Sequence, residues 1–92
     1  MKTLKKLKTE LLADADTRAE YDAMAGEFSM ARELIAARAR AGLTPGEVAQ
    51  RMGTTQSVIA RLEGGGRMPS MRTMQRYAQA VGARAVVHLE AA

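Results

Sequence analysis

The chain of 92 residues contains no cysteine and no tryptophan, and its aromatic content is only 3%. Without cysteine there is no disulfide framework and no thiolate metal site, and that usage fits a reducing cytoplasm. With so few rings, closely packed thin helices are favoured over a bulky sheet core. Histidine occurs once, as His88, so neither a His-based metal cluster nor a His-based catalytic pair is available. No catalytic constellation stands out, an enzyme is disfavoured, and no cofactor is expected. Apolar runs of about 20 residues are absent, so no membrane span is expected. Met1–Leu12 has lysines with no long apolar run after them, so no signal peptide is read there.

What is present is alanine, arginine and an uneven distribution of charge. Residues 1–9 hold four Lys and no acid; residues 10–33 hold seven acids against two Arg; residues 34–84 hold eight Arg against two Glu. An Arg-rich body suits a polyanion such as DNA. The acidic stretch beside it suits a second, cationic partner.

Apolar spacing and capping residues divide the chain. Leu4, Leu7, Leu11 and Leu12 recur at helical spacing. Thr17 and Glu20 have the spacing of a capping box, which predicts a helix reaching Ala25 and stopped by Gly26. A second helix is expected from about Glu27 to Ala41, with Met30, Leu34, Ala37 and Ala41 on one face, closed by Gly42. Thr44-Pro45-Gly46-Glu47 is the clearest start signal: a capping residue, proline at the first helical position, and a capping-box glutamate. That helix ends at Gly53, and the next runs from N-cap Thr55 to Glu63. Gly64-Gly65-Gly66 breaks it and reads as a flexible link; no Gly-Lys-Ser/Thr follows to make a phosphate loop. Ser70 caps a last helix, expected from Met71 to about Val81. Residues 83–89 then alternate, which predicts a short strand. The expected organisation is an arm at 1–26, a helical body at 27–82 and a strand at 83–92.

Function concentrates in residues 43–63. Two short helices, 45–52 and 56–63, are joined by Gly53-Thr54, a turn tight enough to set a helix pair at a steep angle. On the second helix Thr55, Val58, Ile59 and Leu62 share an inward arc, and Gln56, Ser57, Ala60 and Arg61 share the outward one. The outward arc is polar or small and carries no acid. Gln can bond adenine edges in two places, Arg can do so with guanine, and Ala60 permits close approach to a thymine methyl. Such a helix suits the major groove. Tyr21 and Phe28 are possible anchors for a partner, with local packing the stronger expectation for Phe28.

The run Leu43-Thr-Pro-Gly-Glu-Val-Ala-Gln-Arg-Met-Gly-Thr-Thr-Gln-Ser-Val-Ile-Ala-Arg-Leu-Glu63 resembles the helix-turn-helix of the lambdoid-repressor (Cro/C1, XRE-like) family, with the likeness covering about residues 30–82. The resemblance implies a mainly α, lambda-repressor-like helical bundle that dimerises on double-stranded operator DNA. To this the residue pattern adds an N-terminal helical arm and a short C-terminal β-strand. The resemblance places Thr54, Thr55, Gln56, Ser57, Ala60 and Arg61 against DNA, and implies a structural brace between Arg38 and Glu63. Where many members have glutamine, this chain has Pro45, which lacks the side-chain amide and the N–H. Phosphate contacts then fall to Thr44, Thr55, Arg67 or Arg72. The wider arrangement, with Arg18-Ala-Glu-Tyr-Asp22 and Glu27–Arg32 ahead of the motif, is similar to HigA-type antitoxins. That similarity implies an autorepressor whose partner is a basic RelE-like ribonuclease toxin, contacted by the acidic arm through Glu20, Tyr21 and Asp22. The alternative is a stand-alone phage-like or chromosomal repressor. A lone strand has two unpaired edges, so residues 84–89 are expected to pair, with a second copy giving a twofold homodimer or with an edge of the toxin's sheet.

Overall fold

The computed structural model of the chain describes residues 15–92, and the leucine-spaced stretch at 3–12 lies outside them. Four helices follow one another: α1 (Ala15–Arg40), α2 (Pro45–Met52), α3 (Gln56–Glu63) and α4 (Met71–Ala80). The expected break at Gly26 is absent, because α1 runs straight through it for 26 residues. A glycine ends a helix when the backbone turns left-handed there, and Gly26 does not. Left inside a helix it costs about 1 kcal/mol, which strong helix formers on both sides (Ala23, Met24, Ala25, Met30, Ala31) offset. For the same reason Thr17 does not open a helix: α1 is already under way at Ala15.

The other starts follow local chemistry. Thr44 accepts a hydrogen bond from the Glu47 amide at 3.1 Å, and Glu47 accepts one from the Thr44 amide at 3.1 Å, closing a full capping box with Pro45 at the first turn. These bonds, chiefly the one from the Thr44 backbone, hold the Glu47 carboxyl below its ordinary range. Ser70 caps α4 by accepting from the Thr73 amide at 3.1 Å. The helix stops at Ala80, with Val81 as its C-cap.

One small core unites these pieces. Leu34 from α1, Val48, Ala49 and Met52 from α2, Ile59 from α3, and Tyr77 and Ala80 from α4 are buried together with Val81. Val48, Ile59 and Tyr77 are sealed almost completely. Helices α2 and α3 pack on each other, α1 lies across α3 and α4, and α4 backs α2. Among the described residues of α1, none before Ala31 is buried. Ala41, expected on the inner face, lies just past the helix end and is exposed.

Two expectations about loops are corrected. Gly64–Gly66 is not a slack link. Gly65 is buried with φ of 74°, and a Cβ placed on it would sit 2.5 Å from the Phe28 ring. The turn is pinned against α1, and Phe28 is half-exposed above it. The strand expected at 83–92 does not form: among the described residues there is no strand, and this segment takes no regular structure. A strand exists only against another edge, and four helices offer none. Among the described residues no helix is long and apolar enough to cross a membrane.

Candidate nucleic-acid interface

The turn between α2 and α3 depends on one left-handed residue. Gly53 has φ of 67°, a region in which side chains are strained. Its amide reaches the Gln50 carbonyl at 3.2 Å, and the Thr54 amide reaches the Ala49 carbonyl at 2.9 Å. Those bonds satisfy the Ala49 and Gln50 carbonyls in the last turn of α2 and set the angle at which α3 leaves. Thr55 then caps α3 by accepting from the Val58 amide at 3.4 Å. Although expected on the inward arc, Thr55 is an exposed cap, and Ile59 alone is fully inward, with Val58 and Leu62 half-buried.

The outward arc of α3 stands as one surface. Gln56, Ser57, Ala60 and Arg61 are all exposed, and no acid lies in the first turn of this helix. The Gln56 amide lies over the start of α2: its Oε1 would be 3.5 Å from a Cβ on Gly46. Gly46 therefore leaves the space beside Gln56 open. Thr44 and Thr55 are exposed caps at the starts of α2 and α3, whereas Thr54 is half-buried with its amide already engaged. Arg67 lies in the loop after α3 and Arg72 in the first turn of α4. Both are exposed, and among the described residues no hydrogen bond or ion pair ties either to α3.

Beyond its core contacts, α3 is tied at its C-terminal end by a single carboxylate. Arg38 of α1 donates from Nε to Glu63 Oε2 and from Nη2 to Glu63 Oε1, both at 2.9 Å. Its Nη1 donates to the Leu43 carbonyl at 3.1 Å. Tyr77 of α4 donates to Glu63 Oε2 at 2.7 Å and lies 3.0 Å from the Leu34 carbonyl. The pair is mostly shielded, with 18% and 10% of the two side chains exposed. A glutamate at a helix C-terminus opposes the helix dipole, and the forked guanidinium compensates it. One anion thus fastens α1, the α1–α2 loop, α3 and α4 at the exit of the outward-facing helix. Burial, reinforced by the bond to Glu63, raises the Tyr77 hydroxyl well above the ordinary tyrosine range. The Glu63 hydrogen bond likewise raises the pKa of Arg38.

Three residues in this arrangement escape a reading of the sequence. Tyr77 is the largest sealed side chain and a member of the knot. Its signal was available: it sits three residues after Met74 and four before Val81, on the apolar stripe of α4. Arg51 and Arg76 are the others. Arg51 of α2 donates to the Ala80 carbonyl at 2.9 Å, and Arg76 of α4 donates to the Met52 carbonyl at 2.6 Å. Each helix supplies a cation to the carbonyl end of the other, where the dipole is negative. Two arginines of the basic body are therefore engaged within the fold.

Glu20 and Asp22 of α1 do not form one patch. Glu20 and Asp22 are exposed, and Tyr21 is half-buried. Two positions apart on a helix, Glu20 and Asp22 point about 200° apart. Glu27, seven residues after Glu20, shares its side instead.

Comparison with known proteins bears on this geometry. No curated protein and no solved structure matches the chain. The family model described as a helix-turn-helix domain matches residues 29–91, about two-thirds of the chain. The match spans both motif helices, the capped turn between them and the Glu63 knot, and this chain belongs to the helix-turn-helix domain family, a family of DNA-binding domains.

Proposed function

We propose that this chain is a sequence-specific transcriptional repressor that binds operator DNA as a homodimer and acts as the antitoxin of a type II toxin–antitoxin pair, neutralising a basic RelE-like ribonuclease. The observation that carries the DNA part is the outward arc of α3, an acid-free surface of Gln56, Ser57, Ala60 and Arg61 whose helix is anchored at its far end by Arg38 and Tyr77. In this reading Gln56, Ser57, Ala60 and Arg61 meet base edges, Thr54 lies beside them, and Thr44, Thr55, Arg67 and Arg72 meet phosphates. The antitoxin part is supported by α1. None of its described residues before Ala31 is buried, yet this stretch belongs to the acidic region, so a cationic surface is its natural complement. Glu20 and Glu27, which share one side of α1, are the proposed contacts, with Tyr21 next to Glu20; Asp22 points away from that side.

Fluorescence anisotropy with the DNA upstream of the protein's own gene tests the first part. Gln56→Ala and Arg61→Ala each weaken binding to that site by about 1–3 kcal/mol, with little change on random duplex. Equal affinity for operator and random DNA in all three proteins would sink the reading. For the second part, co-expression with the product of the adjacent gene yields a complex that Glu20→Lys with Glu27→Lys dissociates at unchanged DNA affinity. A complex indifferent to both charge reversals refutes the contact assigned to α1.

A further inference from the structure

The segment after α4 is the most exposed apolar stretch of the described chain. Val86 is 77% exposed, Val87 60% and Leu89 90%. It borders a groove of about 350 Å³ between α1 and α4, walled by Met30, Met71 and Met74 and lined by Arg84, Ala85, Val86 and Val87 of the segment itself. Ala85 is the one half-buried residue of 83–92. The family match continues to residue 91, so this stretch belongs to the matched domain. In the isolated chain, apolar side chains and backbone groups alike are left facing solvent beside a cleft they do not fill.

From these observations we infer that the groove is completed by a second copy of the chain, whose residues 84–90 pair antiparallel with the same residues here in a register centred on Val87. The inference rests on the homodimer proposed above and specifies its register. Three registers are close alternatives, with residue 86, 87 or 88 opposite itself. Centred on 87, Arg84 lies opposite the partner's Glu90 on both sides of the twofold axis, two favourable cross-strand pairs. Centred on 86, Arg84 faces His88; centred on 88, it faces Ala92, and Glu90 faces Val86. Only the 87 register matches opposite charges. It also matches size: Ala85 lies opposite Leu89, a small residue beside a large one. Ala85, Val87 and Leu89 share one face of a strand, and Ala85 is the one of the three already half-buried at the groove. The partner's Leu89 therefore lies beside Ala85, over the cleft walled by Met30, Met71 and Met74. Thioether side chains adapt readily to such an insert. Glu90 is otherwise only 4.0 Å from His88 in a fully solvated contact, which leaves it available to Arg84 of another copy.

A chain with no cysteine makes the test clean. Single cysteines are introduced in turn at positions 84–90 of the full protein, mild oxidation follows, and covalent dimer is read on a non-reducing gel. Directly opposed strand residues lie within disulfide reach, so Val87→Cys cross-links fastest. An equimolar mixture of Ala85→Cys and Leu89→Cys proteins cross-links to each other more than either does to itself. Arg84→Glu and Glu90→Arg each weaken the dimer by about tenfold in sedimentation equilibrium, and the double variant restores it. Fastest cross-linking at 86 or 88, or no rescue by the double variant, overturns the register while leaving the homodimer standing. A dimer that persists after removal of residues 83–92 overturns the interface. A monomer at every concentration, with no cross-link at any position, overturns the homodimer itself.

Discussion

Replacing Tyr77 by phenylalanine isolates the knot that anchors α3. The ring stays, sealed at 1% exposure, and only the hydroxyl is lost. That hydroxyl has one proton and two acceptors within reach, Glu63 Oε2 at 2.7 Å and the Leu34 carbonyl at 3.0 Å. After the change Glu63 keeps both bonds from Arg38, and Leu34 keeps its helical partner, so no acceptor is orphaned. The loss is one hydrogen bond to a charged acceptor, about 1.5–3 kcal/mol. For a domain of this size each kcal/mol lowers the midpoint of thermal unfolding by roughly 4–8 °C, so a drop of about 6–24 °C is expected at pH 7. Circular dichroism at 222 nm reads it, and urea unfolding with an unchanged slope confirms that stability alone has moved. The pH dependence is sharper still. Because Tyr77 is harder to ionise folded than unfolded, its neutral form stabilises the fold fully below the ordinary tyrosine value near pH 10. That contribution declines as pH rises above it. The phenylalanine variant lacks this decline, so the gap between the two proteins narrows from about pH 10 upward. A gap of under about 0.5 kcal/mol at pH 7, against the 1.5–3 expected for a charge-assisted bond, would refute the energetic role given to the knot. A gap that stays constant from pH 8 to pH 11 would refute its titration.

Gly65→Ala forces a side chain into a left-handed backbone and against the Phe28 ring, and costs about 1–3 kcal/mol in denaturant unfolding. Pairing it with Phe28→Ala recovers the steric part of that loss and leaves the backbone part; no recovery would show that the ring is not the obstacle. Thr55→Ala removes the cap of α3 at a cost of about 1 kcal/mol in stability, and Thr55→Ser keeps most of it, a contrast that urea titration resolves.

Much of this fold is legible in the sequence wherever a local interaction decides the outcome. The Thr44–Glu47 capping box, the caps at Thr55 and Ser70 and the left-handed Gly53 are all settled within four residues, and each forms as its residue types require. Arg38 and Glu63 are 25 residues apart, and what placed them together on sequence grounds was resemblance to a family, not spacing. The misreadings arise where local signals compete with distant ones. Gly26 is an acceptable stop in isolation, but nothing after it turns the backbone, and the helix continues. The alternating residues of 83–89 have strand character, yet pairing needs a second edge that the described chain does not contain. Gly65 reads as slack until Phe28, 37 positions earlier, lies against it. The arginine count of the basic body conceals that Arg51 and Arg76 each tie a helix end, because nothing local marks their acceptors.

The exchange between Arg51 and Arg76 has a mechanical consequence. The carbonyl end of α2, where α3 departs, and the carbonyl end of α4, from which the tail departs, are cross-tied within one residue of each departure. Strain applied at the tail is therefore delivered to the α2–α3 elbow through two short guanidinium links rather than dissipated along a loop. In a pair of copies clasped by their tails, this stiffness would act as a ruler: the separation of the two α3 helices would be set by the protein, and operators whose half-sites are moved by a single base pair would be rejected without any change in the bases that are read.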